Sequence, residues 1–479
     1  MHKKKLGKNI LFVVFSRGVS LLSSTFIGFL VPKFFSVTDY GYYKVFTLYA
    51  VYTALLHFGF VDGVLLKLSG KDYSELEKEK MRTLARFFII LELMISIIMI
   101  IVSLCFLKGD YLFVGIMLAI NMLFVNVTTY YQFISQAVQR FKEYSLKSLI
   151  ASTLKIIFTG TLFGLYYFKN QIISYQIFLI GLNAIDFLMM SWYIFLYRDI
   201  TFGHSEPIKS MTKDIKDIFK TGIILTLAYQ ISHLVLALDR QFVNVLFSTE
   251  TFAIYSFAYS IVSMISTLIT SVSIVLLPML KQEKSEEVVK IYKVSTVTVS
   301  IVAAISLLCY FIISPFIEWF LIDYIDSIPY IAIVLPSFLF TSVIVIVMFT
   351  MAKIMDRNLS FFKESLIVLC LGFITNLIAY IIFKSPTAIS YASLLVMIVW
   401  FIISGGSLKK ETSVGITKEL FYLLLIAIGF LIITRFINNY VYGFIIYLAL
   451  IVILTFAFYH EMLTKQNKRK RGKVWKRIG

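Results

Sequence analysis

Long apolar runs separated by short polar segments are the main pattern of the sequence. Fourteen such runs lie near residues 10–32, 43–66, 84–107, 111–137, 148–168, 171–197, 219–246, 251–280, 293–314, 329–352, 362–383, 388–405, 418–437 and 440–461. A helix needs roughly 20 apolar residues to cross the hydrocarbon core of a bilayer. The pattern therefore predicts an all-α integral membrane protein with about fourteen transmembrane helices. The segment 315–328, which carries three carboxylates, is predicted as an external amphipathic loop.

Composition agrees with lipid as the solvent. Only 15% of the 479 residues are charged, whereas soluble domains contain about 25%. The basic start and the run that follows it resemble a signal peptide, but the run is too long and has no small-x-small cleavage site, so we expect an uncleaved first span. The three cysteines all lie within apolar runs and predict neither a disulfide framework nor a metal knuckle.

The distribution of basic residues predicts the orientation. With the N-terminus in the cytoplasm, 36 of the 45 Lys and Arg residues fall in cytoplasmic segments. The external segments contain five, namely Lys33, Lys44, Lys108, Lys169 and Lys384. Because short cytoplasmic loops carry the excess of Lys and Arg, both termini are predicted to be cytoplasmic. The basic tail 462–479 is then expected to attract anionic lipids and not nucleic acid.

Two short loops indicate an internal repeat. FFSVTDYGYYKVF, before the second span, aligns with LFSTETFAIYSFA, before the eighth, at an offset of 212 residues. Parallel repeats form two lobes around a central cavity in many transporters. The repeat predicts an N-terminal lobe of six helices at 1–200, a cytoplasmic linker at 201–218, a C-terminal lobe of six helices at 219–408 and two further helices at 409–461, before the basic tail.

Three stretches carry a resemblance to a known family. They are SRGVSLLSSTFIGFLVPKFFSVTDYGYY, LALDRQFVNVLFSTETFAIYSFAYSI and the LLPML that ends the eighth span. Together they resemble Wzx-type polysaccharide flippases of the multidrug/oligosaccharidyl-lipid/polysaccharide exporter superfamily, with Ala253 where members usually have Gly. The resemblance implies a protein of the bacterial cytoplasmic (inner) membrane. It would flip an undecaprenyl-diphosphate-linked oligosaccharide by alternating access, for capsule- or O-antigen-type polysaccharide, either alone or beside a polysaccharide polymerase.

Basic residues within the spans are candidates for binding the diphosphate that the resemblance implies. Intramembrane charges are costly and are therefore usually functional or paired. Arg17 is the first candidate, because a guanidinium can bind phosphate oxygens through two parallel hydrogen bonds. Lys155 and Arg240 are the second and third. The alternative for Arg17 and Lys155 is snorkelling, or pairing with Asp62 or Glu92.

Four carboxylates within the spans are candidates for binding a coupling H⁺ or Na⁺: Asp62, Glu92, Asp186 and Asp239. Burial raises the pKa of a carboxylic acid, which permits proton exchange near neutral pH. Asp239 and Arg240 are neighbours on one helix, about 100° apart. We therefore expect one of them to face the cavity while the other pairs across helices.

Other chemistry finds no support in the sequence. His57 and His233 each lie alone in a span, without a second ligand at helical spacing, so no metal site is predicted. There is no Walker A, HExxH or GxSxG motif, and the glycines of HFGFVDG lack a phosphate-loop context. An ATP-driven pump is disfavoured, and neither an enzyme nor a cofactor is expected.

Three other functions are weighed against this one. A lipid II-type flippase for peptidoglycan precursors is the nearest alternative. A cation-coupled multidrug exporter of the same superfamily would favour acidic residues in its cavity, whereas this chain places Arg17 and Lys155 in its spans. A glycosyltransferase or polymerase with many spans would need a large catalytic loop, but the longest loops have about 20 residues.

Overall fold

The computed structural model describes residues 2–280 and 285–478, without the side chains of residues 2–11, 13, 14, 17, 267–287 and 461–478. Seventeen α-helices form the described part: α1 (His2–Phe34), α2 (Val37–Ala50), α3 (Phe60–Leu68), α4 (Lys78–Phe106), α5 (Gly109–Ala137), α6 (Phe141–Lys169), α7 (Tyr175–Leu196), α8 (Thr212–Leu246), α9 (Thr249–Leu280), α10 (Ser285–Ser306), α11 (Tyr310–Phe320), α12 (Ile328–Val343), α13 (Phe349–Ile354), α14 (Asn358–Phe383), α15 (Pro386–Thr412), α16 (Thr417–Phe436) and α17 (Tyr440–Ile478). No β-strand occurs in this part of the chain.

The fold confirms the all-α prediction, because each predicted span coincides with a helix or a run of consecutive helices. Within the described residues, eleven segments are long and apolar enough to cross a membrane, and the bent α2–α3 pair makes a twelfth. The remaining two predicted spans coincide with α1 and α9. Helices are expected here because lipid offers no partners for backbone N–H and C=O groups.

The second span differs from its prediction in both its start and its shape. It begins at Val37, where the Ser36 side chain accepts a hydrogen bond from the Asp39 backbone N–H. Its two halves meet at an angle of 59°. At the bend, Phe58 and Gly59 have φ values of +48° and +84°, in the left-handed region that ends a right-handed helix. HFGFVDG is therefore the sequence of a helix break.

The segment 315–328 is also corrected by the structure. It was predicted as an external loop, but it lies in α11, which ends at Phe320, and in a 3₁₀-helix at Ile322–Ser327. Tyr324 is fully buried, whereas Trp319 is 76% exposed. The amphipathic character predicted for this segment is present, but helical backbone carries it.

The two repeat loops have the same local structure. Ser36 and Ser248 each accept a hydrogen bond from the backbone N–H three residues later. The backbone carbonyl of each serine also accepts a hydrogen bond from the backbone N–H four residues later, which belongs to Tyr40 and to Phe252 respectively. Such caps fix the first turn of a helix. Positions that are 212 residues apart thus begin α2 and α9 in the same way.

Helix α3 approaches α8 closely through glycines. A Cβ on Gly222 would lie 1.9 Å from the carbonyl oxygen of Gly59, and one on Gly63 would lie 2.0 Å from that of Ile218. One turn further along, an ion pair joins Lys67 Nζ to an Asp214 carboxylate oxygen at 2.5 Å. Only glycine, which has no side chain, permits the backbones of α3 and α8 to approach this closely.

An aromatic core holds α3 in place after the bend. The ring of Phe60 stacks on that of Phe88 with centroids 5.1 Å apart and an interplanar angle of 6°. Phe88 in turn stacks on Tyr130 of α5 at 5.3 Å. All three side chains are fully buried. The core therefore fixes the position from which α3 meets α8.

The segment between α7 and α8 is bound to the start of α4. Three α4 side chains donate hydrogen bonds to its backbone carbonyls: Arg82 Nε to Asp199 (2.9 Å), Thr83 Oγ1 to Glu206 (2.8 Å) and Arg86 Nη2 to Gly203 (2.5 Å). The Asp199 carboxylate accepts from Tyr73 and pairs with Lys78 at 3.1 Å. Burial raises the pKa of Asp199, but these two partners outweigh burial, and the pKa lies below its ordinary value.

By packing, the chain divides into two compact units. One consists of Met1–Ser260 with Asn358–Leu377, and the other of Ile261–Arg357 with Ile378–Gly479. The first unit includes α8, which packs on α3. The predicted lobes at 1–200 and 219–408 remain a prediction.

Candidate functional site

Asp239 joins α8 to α9. One carboxylate oxygen accepts the Arg240 backbone N–H at 2.7 Å, and the other accepts the hydroxyls of Tyr255, at 2.8 Å, and Tyr259. The side chain is 1% exposed. A buried carboxylate with three donors is well satisfied. Asp239 is therefore the member of the Asp-Arg pair that binds across helices, as one of the two was predicted to do.

Arg240 faces a different direction. The carbon at the centre of its guanidinium lies 4.8 Å from the centroid of the Tyr259 ring, in a cation–π contact. Its Nε atom is buried and has no hydrogen-bond partner within the described residues. Leaving a charged donor unpaired is costly. The position is suited to an anionic ligand.

Lys44 is a second cation at this place. Counted with an external segment from the sequence, it is the eighth residue of α2, about 10 Å along the helix. Its ammonium lies 5.0 Å from the centroid of the Tyr40 ring and 5.3 Å from that of Tyr43. It is also close enough to the Arg240 guanidinium for mutual repulsion.

The two cations exceed the nearby negative charge. Across the described residues, no ion pair includes Lys44 or Arg240. Asp239 attracts Arg240, but its oxygens are occupied by two phenols and a backbone N–H. A cluster of two cations and one carboxylate has an excess of one positive charge. Such an excess in a membrane-spanning region favours a ligand that carries negative charge.

Two carboxamide–phenol pairs lie beside the cations. Gln241 Nε2 donates to the Tyr52 hydroxyl at 2.5 Å, and Asn244 Nδ2 donates to the Tyr49 hydroxyl at 3.3 Å. The rings of Tyr49 and Tyr52 meet edge to face, with centroids 6.3 Å apart. The cations and these pairs together form the candidate site, on facing parts of α2, α8 and α9.

Lys155 and Asp186, both predicted from the sequence, form an ion pair. Lys155 Nζ lies 3.2 Å from an Asp186 oxygen, so the partner of Lys155 is neither Asp62 nor Glu92. The second Asp186 oxygen accepts a hydrogen bond from Asn121 at 3.0 Å, and the same Asn121 nitrogen donates to Asn183. This network joins α5, α6 and α7.

We expect removal of one partner of this ion pair to destabilise the protein. Lys155→Met should cost about 2 kcal/mol, because it leaves a partly buried carboxylate unpaired. The double variant Lys155→Met with Asp186→Leu should recover most of that loss, which thermal unfolding in detergent would measure. Lys169→Met, at the exposed end of α6, is the control. If the double variant is no more stable than Lys155→Met, the pair does not act as a structural unit.

The other predicted carboxylates lie in two separate settings. Asp62 accepts a hydrogen bond from the Thr226 hydroxyl and lies 4.0 Å from Nε2 of His57. Glu92 is fully buried, accepts from Asn126 at 2.9 Å, and has one oxygen without a partner in the described structure. Across the described residues, no ion pair includes Glu92.

The structure thus brings Asp239 and Arg240 together with Lys44, and Lys155 together with Asp186. Arg17 belongs to α1, but its side chain lies outside the described residues. No group of three or more His, Cys, Asp and Glu residues that could hold a metal occurs where side chains are described. Lys44 was missed because the second span was predicted to begin at residue 43, so that Lys44 stood at its very end and was counted with the external segment. The capping pattern Ser36-x-x-Asp39 would have placed the helix start correctly.

Comparison with known proteins defines the fold. No protein-family model matches the chain, and no curated protein matches it. Among solved structures, it is similar to the lipid II flippase MurJ in an inward closed conformation, with a TM-score of 0.70 and 15% identity over 95% of this chain and 99% of that chain.

It is also similar to a multidrug resistance MATE family transporter of the MOP superfamily. The inward-facing conformation gives a TM-score of 0.60 at 14% identity, over 84% of this chain and 94% of that chain. The outward-facing conformation gives 0.54 at 12% identity, over 84% and 95%. The chain therefore has the fold of MurJ and MATE transporters and is a multi-pass membrane protein. This fold agrees with the fold that the resemblance in the sequence implies.

Proposed function

We propose that the protein flips an undecaprenyl-diphosphate-linked oligosaccharide across the bacterial cytoplasmic membrane by alternating access. The Lys44–Arg240 cluster supports this proposal most directly. A diphosphate linking a lipid to a sugar carries about two negative charges, which would more than offset the excess of one positive charge in the cluster. The guanidinium would contribute two parallel hydrogen bonds and the ammonium a point charge. Arg17 is proposed as a third contact on sequence grounds.

The same cluster argues against export of cationic drugs. A cationic ligand would be repelled by Lys44 and Arg240, and Asp239 has its oxygens already bonded. The lipid II flippase remains a second candidate, because the likeness to MurJ covers 95% of the chain and lipid II also has a lipid diphosphate. The product, on the preferred reading, is a capsule- or O-antigen-type polysaccharide assembled by a polymerase.

Transport by purified protein in proteoliposomes would test the function. We expect labelled undecaprenyl-diphosphate oligosaccharide to become accessible to an enzyme on the opposite face of the vesicle, and a cationic dye not to be transported. Lipid II, tested in parallel, separates the two flippase candidates. Absence of flipping for both lipids, in vesicles that hold correctly folded protein, would contradict the proposal.

The coupling ion is proposed to bind at Asp62, Glu92, Asp186 or Asp239. Glu92, which belongs to no ion pair of the described residues and has one oxygen without a hydrogen-bond partner there, is the better candidate for a proton. Asp186 and Asp239 are held by Lys155 and by α9 phenols respectively. The vesicle assay with and without a pH gradient, on the neutral variant of each, would identify the coupling residue.

The proposed orientation places both termini in the cytoplasm, with the basic tail against anionic lipids. Reporter fusions at Lys108, Lys169 and Lys384 should then give an external signal. These residues lie at or just after the C-terminal ends of α4, α6 and α14, opposite the ends that are proposed to be cytoplasmic. An alkaline phosphatase fusion, active only outside, would measure this, and a green fluorescent protein fusion to the tail is the control. A cytoplasmic signal at any of the three would invalidate the span assignment.

A further inference from the structure

The carboxamide–phenol pairs beside Arg240 repeat at helical spacing. Gln241 and Asn244 are three residues apart on α8. Their partners are three residues apart on an antiparallel segment, with Tyr49 in α2 and Tyr52 in the 3₁₀-helix Val51–His57 that continues it. Residues at this spacing share one helix face. The four side chains thus form two successive rungs between the helices, each with a carboxamide and a phenol.

Both carboxamides retain unused hydrogen-bonding capacity. Each could make four hydrogen bonds, and within the described residues each makes one. The Asn244 oxygen is buried without a partner. Exchanging the oxygen and nitrogen assignments would leave the nitrogen unpaired instead, so the deficit does not depend on the assignment. A buried polar atom without a partner is unusual in a folded protein, and a ligand hydroxyl group at this place would satisfy it.

The chemistry of the rungs matches a sugar. Hydroxyl groups donate and accept, as do carboxamides and phenols. The edge-to-face rings of Tyr49 and Tyr52 offer apolar surfaces to the C–H faces of a pyranose. Binding sites for small polar ligands commonly combine apolar walls with a few polar groups that fix orientation.

The rungs also lie at the right distance from the cations. Gln241 follows Arg240 directly, and Asn244 is one turn further along α8, about 6 Å. In a lipid-linked oligosaccharide the first sugar is bonded directly to the diphosphate. With the diphosphate at Lys44 and Arg240, that sugar falls within reach of the rungs.

We propose that Gln241, Asn244, Tyr49 and Tyr52 form a subsite for the sugar bonded to the diphosphate, and that they select glycosylated lipid over the bare lipid diphosphate. This inference rests on the proposed function. It adds a recognition element that the cations cannot provide, because the diphosphate is the same whichever sugar follows it.

Binding to the purified full-length protein in nanodiscs would test the subsite. The probes are undecaprenyl diphosphate and undecaprenyl-diphosphate-N-acetylglucosamine, measured by native mass spectrometry. We expect wild type to prefer the glycosylated probe. Gln241→Leu and Asn244→Leu should each reduce that preference about 5–10-fold without weakening the bare diphosphate. Tyr49→Phe and Tyr52→Phe, which remove only a hydroxyl, should give smaller losses of the same kind.

Asn438→Leu, the same substitution at an exposed asparagine between α16 and α17, is the matched control and should leave the preference unchanged. If wild type binds both probes equally, or if the α8 variants weaken both equally, the subsite is overturned while the proposed function stands. If wild type binds neither probe, the proposed function fails, and the subsite fails with it. Monodisperse elution of each variant verifies folding.

Discussion

Replacement of Arg240 by alanine is expected to weaken binding of undecaprenyl diphosphate at least about 30-fold and to abolish transport. The guanidinium lies over the Tyr259 ring, where the proposed diphosphate would be its ion-pair partner. Alanine removes this positive charge and therefore the partner of the diphosphate. Removing one partner of a desolvated charge pair typically costs 2–5 kcal/mol. Arg240→Lys keeps the charge but loses the planar fork, so partial activity is expected.

Lys44→Ala should show the same loss in milder form, because an ammonium makes a single-point contact. Lys169→Ala, which removes an exposed cation at the end of α6, is the charge-matched control and should behave like wild type. Binding and vesicle transport are measured together with the melting temperature. Full binding and transport by Arg240→Ala would place the diphosphate elsewhere, and Arg17 would then be tested next.

Gly222→Val is expected to stop transport while the protein still inserts and folds. A Cβ at this position would lie 1.9 Å from the Gly59 oxygen and 2.4 Å from the Gly63 nitrogen. Side chains rarely tolerate such contacts, so α3 and α8 would be forced apart. If the predicted lobes move by opening and closing here, the variant cannot complete the closed state. Gly406→Ala, where a Cβ would meet nothing within 4 Å, is the control.

Cross-linking would show the separation directly. A cysteine pair at Lys67 and Asp214, which are joined by an ion pair, should cross-link readily in an otherwise cysteine-free protein. Adding Gly222→Val should reduce the yield several-fold. An unchanged yield combined with normal transport would show that the glycine contact is not needed for the cycle.

The sequence was sufficient for the helices but not for their mutual orientation. Spans of about 20 apolar residues can be predicted from hydropathy alone. The helix break at Phe58 and Gly59 cannot be predicted in this way, because it depends on the backbone φ angles and leaves the hydropathy of HFGFVDG unchanged. The meaning of Gly59 and Gly63 also depends on Gly222, far along the chain.

Charges inside the spans were predicted correctly as positions that need an explanation, but not their partners. Lys155 was expected to pair with Asp62 or Glu92 if it had a structural role, whereas the structure pairs it with Asp186. The position of a residue along a span gives its depth in the membrane. Its partner also depends on how each helix is rotated about its own axis, which is fixed by packing. Lys44 was counted with the external segment because the second span was predicted to begin at residue 43, whereas α2 begins at Val37.

The bound segment between α7 and α8 has a practical consequence for protein engineering. Loops between halves of a chain are usual places for inserting tags, antibody epitopes or fusion partners. Here Arg82, Thr83 and Arg86 hold the backbone of residues 199–206, so an insertion there would displace carbonyls that satisfy three side chains. The turn at Lys384 and Ser385 joins α14 to α15, and Lys384 is exposed. A rigid fusion partner for imaging is better placed at that turn.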